Sequence, residues 1–237
     1  MTNLLYSDSL KVDDDITLRI PTVREVISSD GLYDTIVSTF TATPRDLMVE
    51  LDDLGISYSD VEEYDLFLML FQSLKDIDTS ILFGDLNIEN YEMAQTESGE
   101  VVLLNQETGN YIDKFKYMYL CDTLCKINYI SRNNKKAGNQ AASRYLIDKE
   151  RRKKKRAKRK KKSEENPLNG IIISLVNTSE FKYDYQSVLD LTIYQFNASL
   201  HQIIEKINFD KLMIGVYAGT VDTKGLNPDS LSWIKNK

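Results

Sequence analysis

The chain has 237 residues, 42% hydrophobic and 28% charged, enough for one large domain or two small ones around a packed core. Its formal charge of −6 is divided unevenly, with a net −17 over residues 1–120 and a net +11 over the remainder. The longest apolar runs, "LFLMLF" (66–71) and "GIIISLV" (170–176), fall far short of the ~18–20 residues of a membrane span, and the start turns acidic within a few residues, unlike a signal peptide. The expectation is a soluble protein of the cytoplasm without a membrane role.

In chain order, "ITLRI" (16–20) alternates as a strand does. Thr22 with Glu25 three residues on fits a capping box, so a helix is expected to start there. Thr43 as N-cap, Pro44 at the first helical position and Asp46 in the first turn predict a second start. Ser59 with Glu62 predicts a third, carrying an apolar face of Tyr64, Leu66, Phe67, Leu70 and Phe71. Residues 22–75 thus read as three or four short helices.

The pattern changes near Ile81. "EMAQTESGEVVLLN" reads as two strands around the turn "ESGE", "QETG" as a second turn and "NYID" as one more short strand. Residues 113–130 have apolar positions at helical spacing, and a further helix is expected at roughly 137–150, leading into the run "KERRKKKRAKRKKK" (149–162). Asn166 and Pro167 mark a new helix start around "LNGIIISLV". "FKYDYQSVLDLTIYQFNASLHQIIEKIN" is expected to hold two helices, followed by an apolar stretch ended at Gly219 and a last capped turn at "NPDSLSWI". The fold class expected is mainly α with a small β-hairpin element (α+β). Three segments are expected: 1–112, an acidic helical domain with the N-terminal strand and hairpin; 113–166, a helical segment ending in the basic run as long helix or linker; and 167–237, a helical rear packing on the rest.

Motifs of catalysis do not stand out. The chain has no Walker-type loop, no GxGxxG after a strand, no HExxH and no GxSxG. Its one histidine, His201, sits within a helical pattern and lacks an evident partner. The acid pairs in "VDDD", "LDDLG" and "DIDTS" lack the spacing of a calcium loop and read as acidic surface. Cys121 and Cys125, one helical turn apart, read as reduced core thiols rather than half of a zinc site. No cofactor or metal is expected, and the chain reads as non-enzymatic. "FKYMY" and "FKYDYQ" interleave aromatics with lysines, a pattern of helix packing or of base stacking.

The basic run holds twelve Lys and Arg in fourteen positions and has three readings. It can grip nucleic acid electrostatically. It can dock on an acidic surface, of this chain or of a partner. It can be a solvated linker or helical extension, since twelve like charges repel. Arg151, Arg152, Lys153, Lys154, Lys155, Arg156, Lys158, Arg159 and Lys160 are the candidate contacts to partner or nucleic acid.

"ITLRIPTVREVISSDGLYDTIVSTFTATPRDL", "DLGISYSDVEEYDLFLMLF", "FKYDYQSVLDLTIYQFNASLHQI" and "GVYAGTVDTKGL" together resemble the tail-morphogenesis proteins of phages infecting Gram-positive bacteria, a group read as tail assembly chaperones or related tail-module components. The resemblance spans most of the chain and carries no catalytic residue. It implies an assembly protein acting in the host cytoplasm, with the tape measure protein and the tail tube subunit as partners.

Overall fold

Two short strands open the fold. In the computed structural model, which describes residues 3–86, 88–159 and 166–234, β1 (Ser9–Lys11) pairs antiparallel with β2 (Thr17–Arg19), and Leu10 faces Leu18, both buried. The "VDDD" cluster is the turn between them. The Asp13 carboxylate accepts from the backbone amides of Asp15 (2.9 Å) and Ile16 (2.7 Å), the local device by which Asp closes a turn. Lys116 completes its neutralisation at 2.5 Å.

The predicted capping box is present. Thr22 Oγ1 accepts from the Glu25 amide, and Glu25 Oε2 accepts from the Thr22 amide, opening α1 (Val23–Ser28). Asp30 and Gly31, both left-handed, turn the chain into α2 (Leu32–Thr41). The two helix starts expected next are displaced. Asp46 accepts from both the amide and the hydroxyl of Thr43, closing a tight turn, and α3 (Met48–Asp53) begins only beyond it. Ser59 lies in a turn of its own, closed by the Asp60 amide on the Ser57 carbonyl, so α4 (Glu63–Phe71) starts at Glu62 without a side-chain cap.

After α5 (Ser80–Phe83), the strands β3 (Tyr91–Gln95), β4 (Val101–Asn105) and β5 (Tyr111–Ile112) form an antiparallel sheet in sequence order. The turns at "ESGE" and "QETG" separate them as expected. Asp113 caps α6 (Lys114–Asn128) by accepting from the Lys116 amide. Then come α7 (Gln140–Arg159) and α8 (Pro167–Val176), the latter capped by Asn166 with proline in its first turn.

The rear differs from expectation. "FKYDYQSVLDLTIYQF" contributes one 3₁₀ turn (Ser187–Asp190), and a single 25-residue helix, α9 (Ile193–Tyr217), runs on through "FDKLMIGVY". Thr192 and Gln195 form a second capping box that starts it, and no proline lies within it. It ends at Gly219, whose φ of +69° supplies the left-handed residue that closes a helix. Gly215, inside the helix, lies where the returning chain packs: a Cβ there would meet Val221 at 2.8 Å.

Among the described residues, nine α-helices and two small antiparallel sheets make this a mainly α fold with a small β element. The main core draws on both the front and the rear of the chain, with α3 and α7 outside it. Phe40, Phe67, Phe71 and Tyr117 form its aromatic centre, with Phe67 and Tyr117 stacked at 4.5 Å between ring centroids. Tyr117, Leu120, Cys121, Leu124 and Ile127 are the inward face of α6, and Val188, Ile193, Phe196 and Ile203 close the core from the rear.

Candidate functional site

The basic run is helical to Arg159, past the expected end of the preceding helix near Glu150. Asn139 sets its start by accepting from the Ala142 amide. Lys, Arg and Ala are good helix formers, so local preference agrees with this state. The repulsion of its charges is offset by what lies beneath.

One face of α7 rests on α3. Ile147 is buried in a small second core with Met48, Val49, Leu51 and Tyr58. One turn on, Arg151 bridges Asp52 (2.9 Å) and Asp53 (2.5 Å). Lys154 reaches both oxygens of Glu50, at 2.6 and 2.7 Å. The spacing 147, 151, 154 keeps these three on one side of a 3.6-residue helix. The "LDDLG" acids are thus the counter-surface of the run. Partial burial pushes the Glu50 carboxyl up, but the hydrogen bonds from Lys154 and from its own backbone amide outweigh it, and the group titrates below the ordinary glutamate range.

The segment between α6 and α7 is tied down as well. Arg132 pairs with Glu63 at 2.6 Å and donates to the Thr41 carbonyl, Lys136 donates to the Ser59 carbonyl, and Arg45 to that of Lys135. A cavity of about 290 Å³ lies under it, lined by Tyr58, Glu62, Glu63, Tyr117, Met118 and Lys136. Its acids are already engaged, Glu62 by Lys114 and Glu63 by Arg132, so it presents ion pairs rather than a free acid or base.

The opposite face of α7 looks outward. Tyr145, Lys149, Arg152, Arg156 and Arg159 follow spacings of 4, 3, 4 and 3, which gathers them into one stripe. Arg152, Lys155, Arg156 and Arg159 are exposed and have no ion-pair partner among the described residues. Lys153 is exposed and held by Glu150 at 3.2 Å. Lys158 belongs to the helix, and Lys160, with the end of the run, lies outside the described residues. The nine candidate contacts therefore do not form one set: Arg151 and Lys154 are structural, and the outward residues are free to meet a partner.

Other candidates resolve into packing. His201 packs against Tyr129 with the two rings tilted and 5.0 Å between their centroids. The Cys121 thiol is held up by its hydrogen bond to Cys125 and by burial, and neither cysteine forms a disulfide among the described residues. Asp78 of "DIDTS" accepts from the Ser80 amide at the start of α5. No group of three or more His, Cys, Asp and Glu side chains converges in metal-binding geometry among the described residues. The aromatic clusters divide: Tyr117 and Phe181 are buried, whereas Phe115 is 79% exposed and Tyr183 and Tyr185 are also exposed.

A second surface has no counterpart among the sequence expectations. No residue of α9 beyond Ile203 is fully buried among the described residues: Ile207, Phe209 and Leu212 are half-buried, Ile207 against the main core, whereas Ile204, Ile214 and Tyr217 are exposed, Tyr217 to 82%. The expectation here is two helices, and only a single long one carries Ile214 and Tyr217 past the edge of the core.

Residues 158–237 match the family model described as the YomV second domain, a phage-associated family. The match covers the rear third of the chain, α8 and α9 included, and links that part to phage proteins. No curated protein and no solved structure matches the chain.

Proposed function

We propose that this is a non-enzymatic phage tail assembly chaperone or tail structural component, acting in the host cytoplasm on the tape measure or tail tube protein. The observation that carries the reading is the set of exposed apolar side chains on the outer half of α9, Ile204, Ile214 and Tyr217, which lies in the segment similar to a phage-associated domain. Ile214 and Tyr217, three residues apart, are exposed on the same side of the helix as Ile207, which packs at the edge of the main core, and Ile204 is exposed beside them. A partner helix with apolar anchors at matching intervals docks on such a side. Exposed apolar residues in this number are a liability in a protein that stays alone, and they suit one that hands its surface to a partner.

The test is co-expression with the tape measure and tail tube genes of the same phage, followed by affinity capture. The expected result is a co-purifying partner that no longer appears with I214D/Y217S, whose altered side chains are exposed and leave the core intact. Capture of neither protein, or normal tail formation when the gene is deleted, overturns the reading.

A further inference from the structure

The geometry points to the outer face of α7 as a docking strip for the phosphate backbone of duplex nucleic acid, bound without regard to sequence. This surface is distinct from α9, and the inference does not rest on the assembly role.

Three observations carry it. The first is the division of the helix into two faces. Intramolecular pairing consumes Arg151 and Lys154 on the inner side, and leaves Lys149, Arg152, Arg156 and Arg159 in line on the outer side, with Lys155 exposed at its flank. At a rise of about 1.5 Å per residue these four span roughly 15 Å, with all of them within about 40° of one helical direction. The second is rigidity. Ile147 in its small core, with the ion pairs to α3, holds the strip in place, so binding need not order a mobile chain.

The third concerns the class of partner. Where α7 meets a protein helix, in α3, it uses an apolar anchor, Ile147, beside its cations. The outer face has no aliphatic anchor; its only large apolar residue is Tyr145, 67% exposed at one end. Protein interfaces are depleted of charge at their centre, whereas interfaces with DNA are strongly positive. A single-strand groove would need successive aromatics to stack bases, and one tyrosine does not make such a platform. The front half's acids do not cancel the strip: Glu50, Asp52 and Asp53 lie on the other side of the helix and are neutralised there. The nearer acids are Asp148, 3.9 Å from Arg151, and Glu150, paired with Lys153.

The experiment is fluorescence anisotropy with a labelled random-sequence 20-base-pair DNA duplex and the full chain, between 50 and 200 mM salt. The same titration uses the single strand and a 20-residue polyglutamate as further probes. Duplex affinity is expected to fall steeply with salt, and R152Q/R156Q/R159Q to weaken binding at least tenfold at 50 mM. The slope of log affinity against log salt should drop by about three in that variant, near 0.9 for each phosphate that is no longer neutralised. R151Q/K154Q should keep the wild-type slope to within about one, and I214D/Y217S should bind the duplex unchanged. Circular dichroism establishes that each variant is folded. No duplex binding at 50 mM, equal weakening in the inner and outer variants, or tighter binding of polyglutamate or of the single strand overturns the proposal.

Discussion

Thr22 and Thr192 join the front and the rear of the molecule. Each caps its own helix in a capping box, with Glu25 and Gln195 answering. The two caps also face each other as an isolated antiparallel bridge. The Val23 amide donates to the Leu191 carbonyl at 2.9 Å and the Ile193 amide to the Pro21 carbonyl at 2.8 Å. The first amide of each helix, which has no partner within its own helix, is thus satisfied by the other segment. Gln195 extends the tie by donating to the Leu5 carbonyl. Thr22→Ala and Thr192→Ala should each cost about 1 kcal/mol. Because they share one bridge, the double variant should cost less than the sum by at least about 0.5 kcal/mol, measured by urea unfolding. The Thr22 box was legible because it spans four residues. The same T-x-x-Q signal stands at Thr192, but no local pattern says that the two boxes meet.

At the scale of elements, α7 shows how context decides the state of a charged run. Alone, twelve positive charges favour a mobile chain. Here the acids of α3 and the anchor Ile147 hold the helix, so the α3–α7 contact should behave as a clasp of mixed apolar and ionic character. Ile147→Ala should weaken the docking by about 2–3 kcal/mol. Hydrogen exchange should then quicken through residues 140–159 while α6 amides keep their protection. The pH dependence has a definite sign. The Glu50 carboxyl is lowered in the folded state, so its contribution is present above the ordinary glutamate value near pH 4.5 and is lost as pH falls through the lower, folded one. Protection of α7 should therefore fall as pH drops below the ordinary glutamate range, and also with added salt, since these pairs are partly exposed.

For the whole molecule, the core is shared across the charge divide. Phe181, Val188, Ile193 and Phe196 from the rear pack into the cluster built by Phe40, Phe67 and Tyr117 from the front. The segment similar to a phage-associated domain, 158–237, is therefore half of a core rather than a core of its own. Produced alone, it should lack a cooperative unfolding transition, whereas the full chain should unfold in a single step, as calorimetry can establish for both. A cooperative transition in the isolated segment would contradict this account of the core.

What the sequence determined by itself were features set within four or five residues. The Thr22 cap, the proline start of α8 and the turns of the β3–β5 sheet all depend on near neighbours, whereas of the apolar positions on α6 Leu120, Leu124 and Ile127 face inward and Phe115 is exposed. Its errors were local signals outcompeted by other local bonds, as when Asp46 drew Thr43 into a turn ahead of α3. The tertiary structure alone decided which acids lie under the basic run, which of its cations remain free, and how far α9 runs beyond the core. Those outcomes depend on pairs some 100 residues apart, such as Glu50 with Lys154, whose energy appears only when the fold brings them within bonding distance.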